Sequence, residues 1–480
     1  MNKRMICRVL GWIFLIYAAL MILPLLTGLI YHENVFNFLL SIAITALLGL
    51  MLMIPKPCDK IIVARDGFVI VGLAWIGISL LGAIPFTVSR SIPNYIDALF
   101  ETASGLSTTG ASILQDFDGM PRADMFWRLF THWIGGMGVL VFLMAVMPMS
   151  GEHSMHIMRA EVPGPTVGKL VPRVRHTAQI LYMIYVGMTI SEMVCLLLAG
   201  MSFYDAVLHA FATAGTGGFS TNAGSIAGFH NSAVEVVLTV FMLAFAVNFN
   251  LYYLLLIGSW RKALKNQELH RYAAIILIAV GLITFGICGT GNYTFRHGLH
   301  TAFFNVASIL STTGFGTVDF TEWPEYCKWI IILLMFCGGC AGGTGGGIKL
   351  SRIMILLRSL RAELQKMVRP RTVVRVEMDG QRVEKQTVRA ASTFVSLYMI
   401  LLLVFAALVS LDGHDVATCF TASLSCLSNI GPGITKAIGP AGSFAVFSGR
   451  SKLLLTLAML IGRLEIYPIL VLFSPNTWKK

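Results

Sequence analysis

Ten apolar stretches of about 20 residues divide this chain, near positions 9–31, 36–55, 67–88, 126–149, 177–200, 233–258, 272–290, 328–348, 391–411 and 452–474. A helix rises about 1.5 Å per residue, so each stretch can cross about 30 Å of hydrocarbon. Runs of this length predict membrane-spanning helices. With 56% hydrophobic and 12% charged residues, and a mean hydropathy of +0.75, an ordinary soluble globule is excluded. Lys3, Arg4 and Arg8 ahead of the first run also describe a secretory leader. The stretch at 9–31 exceeds a typical leader core, however, and no small-x-small site follows it, so an uncleaved membrane helix is expected.

Basic residues set the expected orientation. Lys56, Lys60 and Arg65 follow the second run, Arg159, Lys169, Arg173 and Arg175 the fourth, and Arg261, Lys262, Lys265 and Arg271 the sixth. Between 349 and 390 stand eleven basic residues against four acids, whereas 201–231 has no Lys or Arg. Basic loops stay in the cytoplasm, and an even number of crossings puts both termini there as well. Arg450 and Lys452 run against the pattern locally. The net charge of +12 therefore reflects topology. No nucleic-acid partner is expected, because no nucleic-acid-binding motif accompanies the charge.

Four glycine segments recur in the loops expected to face outward. They centre on Gly110, Gly218, Gly314 and Gly431, with separations 218−110=108, 314−218=96 and 431−314=117 residues, a spacing that suggests internal duplication. Each follows a short amphipathic piece, at 97–106, 205–214, 301–310 and 418–427. About ten helical residues reach about 15 Å, half a membrane, which suits re-entrant pore helices whose negative C-terminal ends favour a cation. Non-helical backbone at that depth must be buried in protein or line a wet cavity. Main-chain oxygens of Thr108, Thr109, Thr216, Gly217, Thr312, Thr313, Asn429 and Ile430 are expected to form a filter, with Gly110, Gly218, Gly314 and Gly431 supplying the unusual dihedrals. Rings of neutral carbonyl oxygens replace the water shell of potassium, so the segments predict a potassium-binding selectivity filter. Asp116, Asp118, Asp124, Asp319 and Glu322, which follow the first and third segments, are expected to gather cations in an outer vestibule. The competing explanation is that these glycines only let helices pack closely.

These residues, with His132-Trp133-Ile134-Gly135-Gly136-Met137-Gly138, the run from 338 to 349, and Gly462-Arg463-Leu464-Glu465-Ile466, carry a family resemblance. The chain resembles, over nearly its whole length, the TrkH-type membrane subunit of the Trk/Ktr/HKT superfamily of potassium transporters. Gly215 and Gly343 stand where such proteins are expected to have Ser, and Gly316 is unusual in the third segment. The resemblance implies an all-α polytopic membrane protein: two N-terminal helices (1–60), then four pseudo-symmetric helix/pore helix/helix repeats around one pore. The repeats are expected at 61–150, 151–265, 266–370 with an intramembrane glycine gate, and 371–480 with a cytoplasmic hairpin. It also implies a bacterial inner-membrane location, a homodimer with one pore per subunit, and a cytosolic partner carrying the regulatory nucleotide. Potassium is then the substrate, with no covalent cofactor.

Gly338, Gly339, Gly342, Gly343, Gly345, Gly346 and Gly347 fall within ten positions that would otherwise continue a crossing helix. Each glycine costs a helix about 1 kcal/mol relative to Ala, so a loop is expected. The resemblance makes this loop, with Thr344 and Lys349, the gate. A nucleotide-binding loop is excluded by spacing, because Ile348 separates Lys349 from the last glycine. Cys337 and Cys340 form a CxxC without a second pair, which argues against a metal or redox site. Arg463 lies mid-span, where a charge needs a partner or a wet interior. The resemblance places it in the pore as part of the gate, the alternative being a salt bridge to a neighbouring helix. Glu465, two residues on, points elsewhere and is a poor partner for it. Asn248, Asn250 and His132 are expected to hydrogen-bond between helices. Alternating residues around Asp379-Gly380 predict a hairpin that meets the regulatory partner or anionic lipid. Two other function classes stay open: a sodium- or proton-coupled carrier, and a membrane enzyme, for which Arg463 and Glu465 supply too little chemistry.

Overall fold

The computed structural model describes residues 1–55, 63–117, 119–138, 174–371 and 375–479. Lys56, Lys60, Asp118, residues 139–149 of the fourth apolar run, Arg159, Lys169, Arg173 and Lys480 lie outside the described residues, as does 373–374 of the hairpin.

The chain opens with α1 (Lys3–Leu20), α2 (Ile22–Ile30) and α3 (Phe36–Met53). Gly11 and Gly49 bring α1 and α3 together: a Cβ on Gly11 would lie 2.6 Å from the Gly49 carbonyl oxygen. This is the close helix packing that small residues permit in membranes. Next come α4 (Ala64–Ser89), the short α5 (Tyr95–Leu106) and α6 (Arg122–Met137). After them stand α7 (Val174–Leu198), short α8 (Phe203–Gly215), α9 (Ser232–Phe245), α10 (Phe249–Leu256) and α11 (Trp260–Leu264). Then follow α12 (Gln267–Gly289), short α13 (Phe295–Leu310), α14 (Glu325–Cys337) and α15 (Leu350–Val368). A two-stranded ribbon, β1 (Glu377–Met378) and β2 (Gln381–Arg382), leads to α16 (Lys385–Val409), short α17 (Val416–Ser428), α18 (Gly449–Arg463), α19 (Tyr467–Phe473) and α20 (Pro475–Trp478).

Six helices among the described residues are long and apolar enough to cross a bilayer: 3–30, 36–53, 65–89, 178–198, 267–289 and 385–412. The runs at 233–258 and 452–474 are not the straight crossings their length suggested. The first bends by 92° between α9 and α10, and the second breaks at Glu465 and Ile466, both at positive φ. Helix α14 stops at Gly338, where the glycine run begins. The core lies between the short helices and the longer helices on both sides of them, with Trp75, Trp127, Phe130, Tyr185, Phe245 and Tyr398 fully or almost fully buried.

Candidate functional site

The four short helices end alike. In each, the residue two before the glycine is left-handed: φ is 56° at Thr108, 56° at Thr216, 62° at Thr312 and 56° at Asn429. The next N–H reaches back five residues, from Thr109 to the Ser104 carbonyl at 2.8 Å, Gly217 to Ala212 at 2.8 Å, Thr313 to Ser308 at 2.9 Å and Ile430 to Ser425 at 3.0 Å. With the shorter bonds Thr108 to Gly105, Thr216 to Thr213, Thr312 to Ile309 and Asn429 to Cys426, this is a Schellman termination. Such a cap normally puts Gly or Asn at the left-handed position, and only Asn429 obeys. Three β-branched threonines hold a conformation that such side chains rarely adopt, a strain that clusters at functional sites.

The glycine that follows is also at positive φ, 77° at Gly110, 76° at Gly218, 83° at Gly314 and 106° at Gly431. What surrounds these glycines fixes the arrangement of the four turns. A Cβ on Gly110 would lie 2.0 Å from the Gly217 carbonyl oxygen, one on Gly218 2.0 Å from that of Thr313, and one on Gly314 2.0 Å from that of Ile430. One on Gly431 would lie 2.8 Å from the Thr109 oxygen, which returns to the first turn. The turns therefore abut in cyclic order, first to second to third to fourth to first. Asn429 Nδ2 also donates to Thr109 Oγ1 at 3.0 Å across the closing junction. All twelve residues expected at a filter meet in this ring. A cavity of about 90 Å³ touches all four glycines on one side.

Polar groups behind the ring hold it in shape. His132 accepts the Phe219 N–H on Nε2 at 3.2 Å, so its Nδ1 carries the proton and donates to the Gly105 carbonyl at 2.8 Å. This histidine links α6 to α5, as expected, and also reaches the segment after the second turn. Asp97, on α5, pairs with Lys452 at 2.7 Å, which accounts for a lysine on the unexpected side. At the head of α17, Asp415 accepts the Thr418 N–H at 3.0 Å, and bonds from Thr418 hold its carboxyl below the usual carboxylate range. The expected vestibular acids are not all where they were placed. Asp124 is buried and accepts from Asn37 at 2.8 Å, Ser89 at 2.6 Å and Ser91, so it fastens α3, α4 and α6 together instead of lining a vestibule. Glu322 is exposed and faces Lys436 at 3.3 Å, while Asp319 caps a short 3-10 turn through the Thr321 N–H at 2.9 Å.

The glycine run lies against the other side of the ring. The Gly346 N–H donates to Thr312 Oγ1 at 2.7 Å, and a Cβ on Gly345 would lie 2.6 Å from the Ser311 carbonyl oxygen. A Cβ on Gly346 would overlap the Ser428 carbonyl, so side chains are excluded where the loop seats beneath the third and fourth turns. Gly338, Gly342 and Gly347 take positive φ, while Gly339 and Gly343 face the Ala246 carbonyl at the bend between α9 and α10. There Cys340 and Thr344 donate their N–H groups to Ala246 at 2.9 Å and Phe245 at 3.1 Å.

Three charged side chains fasten this loop. Arg463 donates to the Thr344 carbonyl at 2.7 Å and to those of Gly135 at 2.5 Å and Gly136 at 2.6 Å. It thus ties the loop to the end of α6. Lys349, itself buried, donates Nζ to the Gly345 carbonyl. Glu465 turns away, as its spacing suggested, and pairs with Arg352 at 2.5 Å. The third fastener is Glu268, which sequence reasoning missed. One of its oxygens accepts the Ala341 N–H at 2.9 Å and the Ser351 N–H at 3.0 Å, pinning both limbs of the loop to α12. Its only sequence signal was an acid two residues after the cap Asn266, the pattern of an ordinary helix start. The hairpin docks at the same place: Asp379 accepts the Gln267 N–H at 2.8 Å, and Arg358 of α15 bridges the Glu377 carbonyl and Gln267 Oε1.

No group of three or more His, Cys, Asp or Glu side chains able to hold a metal occurs among the described residues. The ring instead offers neutral main-chain oxygens, which suit a weakly hydrated monovalent cation.

Comparison with known proteins extends this geometry. The family model for TrkH, described as a cation transport protein, matches residues 34–480. The chain is 33% identical to the Trk system potassium uptake protein TrkH of Halomonas elongata and 34% identical to that of Escherichia coli K12, each over the whole of both chains. The crystal structure of the potassium transporter TrkH from Vibrio parahaemolyticus is similar throughout, with a TM-score of 0.89 at 32% identity and complete coverage of both chains.

Proposed function

This chain belongs to the TrkH family of cation transport proteins, and from that premise we propose that it takes up potassium through one gated pore whose selectivity filter is the ring of four turns. It is a multi-pass membrane transporter and not an enzyme. The observation that carries the proposal is the cyclic contact of Gly110, Gly218, Gly314 and Gly431 with oxygens of the next turn. Potassium sheds its water into that collar and descends toward the glycine loop, which occludes the path while Arg463, Lys349 and Glu268 hold it. Gly338, Gly339, Gly342, Gly343, Thr344, Gly345, Gly346 and Gly347 are the moving part. Four repeats, at 61–150, 151–265, 266–370 and 371–480, build the pore behind two leading helices.

The protein lies in the bacterial inner membrane with both termini in the cytoplasm, which fits the distribution of basic loops. It works as a homodimer with one pore per subunit. A cytosolic nucleotide-binding subunit drives the gate, and the hairpin at the foot of α15 is a suitable lever for it, because α15 leads directly out of the loop. The test is purified protein in liposomes under a potassium gradient. Potassium flux indifferent to added sodium and to a proton gradient is the expected result. Strict coupling to either ion would replace the channel by a cation-coupled carrier.

A further inference from the structure

The ring is fourfold in its backbone but not in what braces it. Nine residues before each glycine, at the same register on each short helix, stand Glu101 (110−9), His209 (218−9), Asn305 (314−9) and Ala422 (431−9). All four are buried, and the first three reach around the turn to the strand that leaves it. Glu101 accepts Ser112 Oγ at 2.9 Å and the Ile113 N–H at 2.9 Å, two and three residues past its glycine. His209 Nε2 meets Ser220 Oγ at 3.0 Å, two residues past the second glycine. Its Nδ1 faces the Asp205 carbonyl at 2.8 Å and so carries the proton, which leaves Nε2 to accept from the serine. Asn305 Nδ2 donates to Thr317 Oγ1 at 3.3 Å, three residues past the third glycine. In the fourth turn Ala422 has no polar group, and Gly433 stands where Ser112 and Ser220 stand in the first two.

The first brace is reinforced. Arg128, on α6, donates Nε to Glu101 at 2.6 Å, Nη2 to Ser112 Oγ at 3.2 Å and Nη1 to the Ser220 carbonyl at 3.1 Å. Its guanidinium also lies 3.7 Å from the centre of the Phe219 ring. One buried ion pair thus grips the strands leaving two adjacent turns. The backbone of the turn does not require a polar group at this register, since the fourth turn has the same hydrogen bonds with Ala422 there.

Resting on the filter reading above, we propose that Glu101 with Arg128, His209 and Asn305 are positioning residues that set potassium over sodium preference by limiting how far the turns can close around a smaller ion. The physical ground is that carbonyl oxygens free to move inward coordinate sodium as well as potassium, whereas oxygens anchored from behind cannot follow it. At this register the bracing is graded, a charged clamp in the first turn, neutral bonds in the second and third, and none in the fourth, whose departing segment is held instead through Thr418 and Thr435 at 2.8 Å.

The experiment measures the sodium-to-potassium permeability ratio and the saturating potassium flux in liposomes. Glu101→Gln with Arg128→Met removes the clamp without stranding a buried charge. Asn305→Leu removes the third brace at nearly constant volume. Each is expected to raise the ratio by about threefold or more while potassium flux stays within about twofold. Ala422→Gly, at the same register without a brace, is expected to leave the ratio unchanged. Gly314→Ser serves as the control for the filter itself. If Gly314→Ser shifts the ratio and neither brace variant does, the bracing proposal falls and the filter stands. If none shifts it, the filter reading falls and takes the proposal with it. Should the double variant fail to assemble, Asn305→Leu alone decides, an unchanged ratio overturning the proposal.

Discussion

Gly314→Ser is the sharpest perturbation of the proposed filter. At φ 83° any side chain is strained, by about 1–2 kcal/mol for the left-handed region. The new Cβ would lie 2.0 Å from the Ile430 carbonyl oxygen and 3.0 Å from Pro432 Cδ. A relaxed carbon-to-oxygen contact is about 3.3 Å, so the third and fourth turns must separate by roughly 1.3 Å or the Ile430 carbonyl must swing away. Either response spoils one quarter of the collar. If about 1.4 kcal/mol of the strain appears as lost preference for potassium, selectivity drops about tenfold. Gly316→Ser is the matched control, because its Cβ would meet only Pro440, at 3.0 Å, and its φ is ordinary. Tracer uptake into liposomes under opposed potassium and sodium gradients gives the ratio for both variants. A folded Gly314→Ser protein with unaltered selectivity would refute the assignment of this ring as the ion filter.

The remaining predictions concern the loop. Arg463→Gln frees the Thr344, Gly135 and Gly136 carbonyls and is expected to raise potassium flux without a cytosolic partner by about tenfold, charged hydrogen bonds being worth about 1.5–3 kcal/mol each; unchanged flux would leave Arg463 a structural residue. Deleting Gly345 to Gly347 removes the part seated under Ser311 and Ser428, and the same flux assay is expected to rise. Glu268→Ala strands the N–H groups of Ala341 and Ser351 and is expected to destabilise the protein by about 2 kcal/mol, read as an earlier thermal transition in tryptophan fluorescence. Asp379→Ala releases the hairpin from Gln267, so amide exchange across 377–383 should quicken while the filter ratio stays put.

Six long helices and three of the four short ones were legible because hydropathy and length state them directly, while α13 starts at Phe295, six residues before its expected start. The family was legible from the motifs around His132, Gly338 and Gly462. The bend at 246–248 was not. Ala246, Val247 and Asn248 include no Gly or Pro, and the break depends on N–H groups of Cys340 and Thr344 that arrive from another repeat to take the carbonyls of Ala246 and Phe245. The left-handed threonines were equally hidden, since a β-branched residue by itself argues against positive φ. Asp124 misled for a related reason: it follows Asp116 and Asp118 in a loop expected to face outward, but Asn37, Ser89 and Ser91 reach it from distant helices and remove it from solvent. Glu268 looked like any first-turn acid because its partners lie 73 and 83 residues ahead.

The bond from Asn429 to Thr109 joins residues 320 positions apart. A membrane protein is delivered to the bilayer from its N-terminus onward, and early segments fold before late ones exist. More than 400 residues are therefore synthesised before the last wall of the proposed ion site can be set in place. On that reading, coordination of the cargo awaits the fourth turn, and any chain cut short before Gly431 carries three walls with nothing to close them.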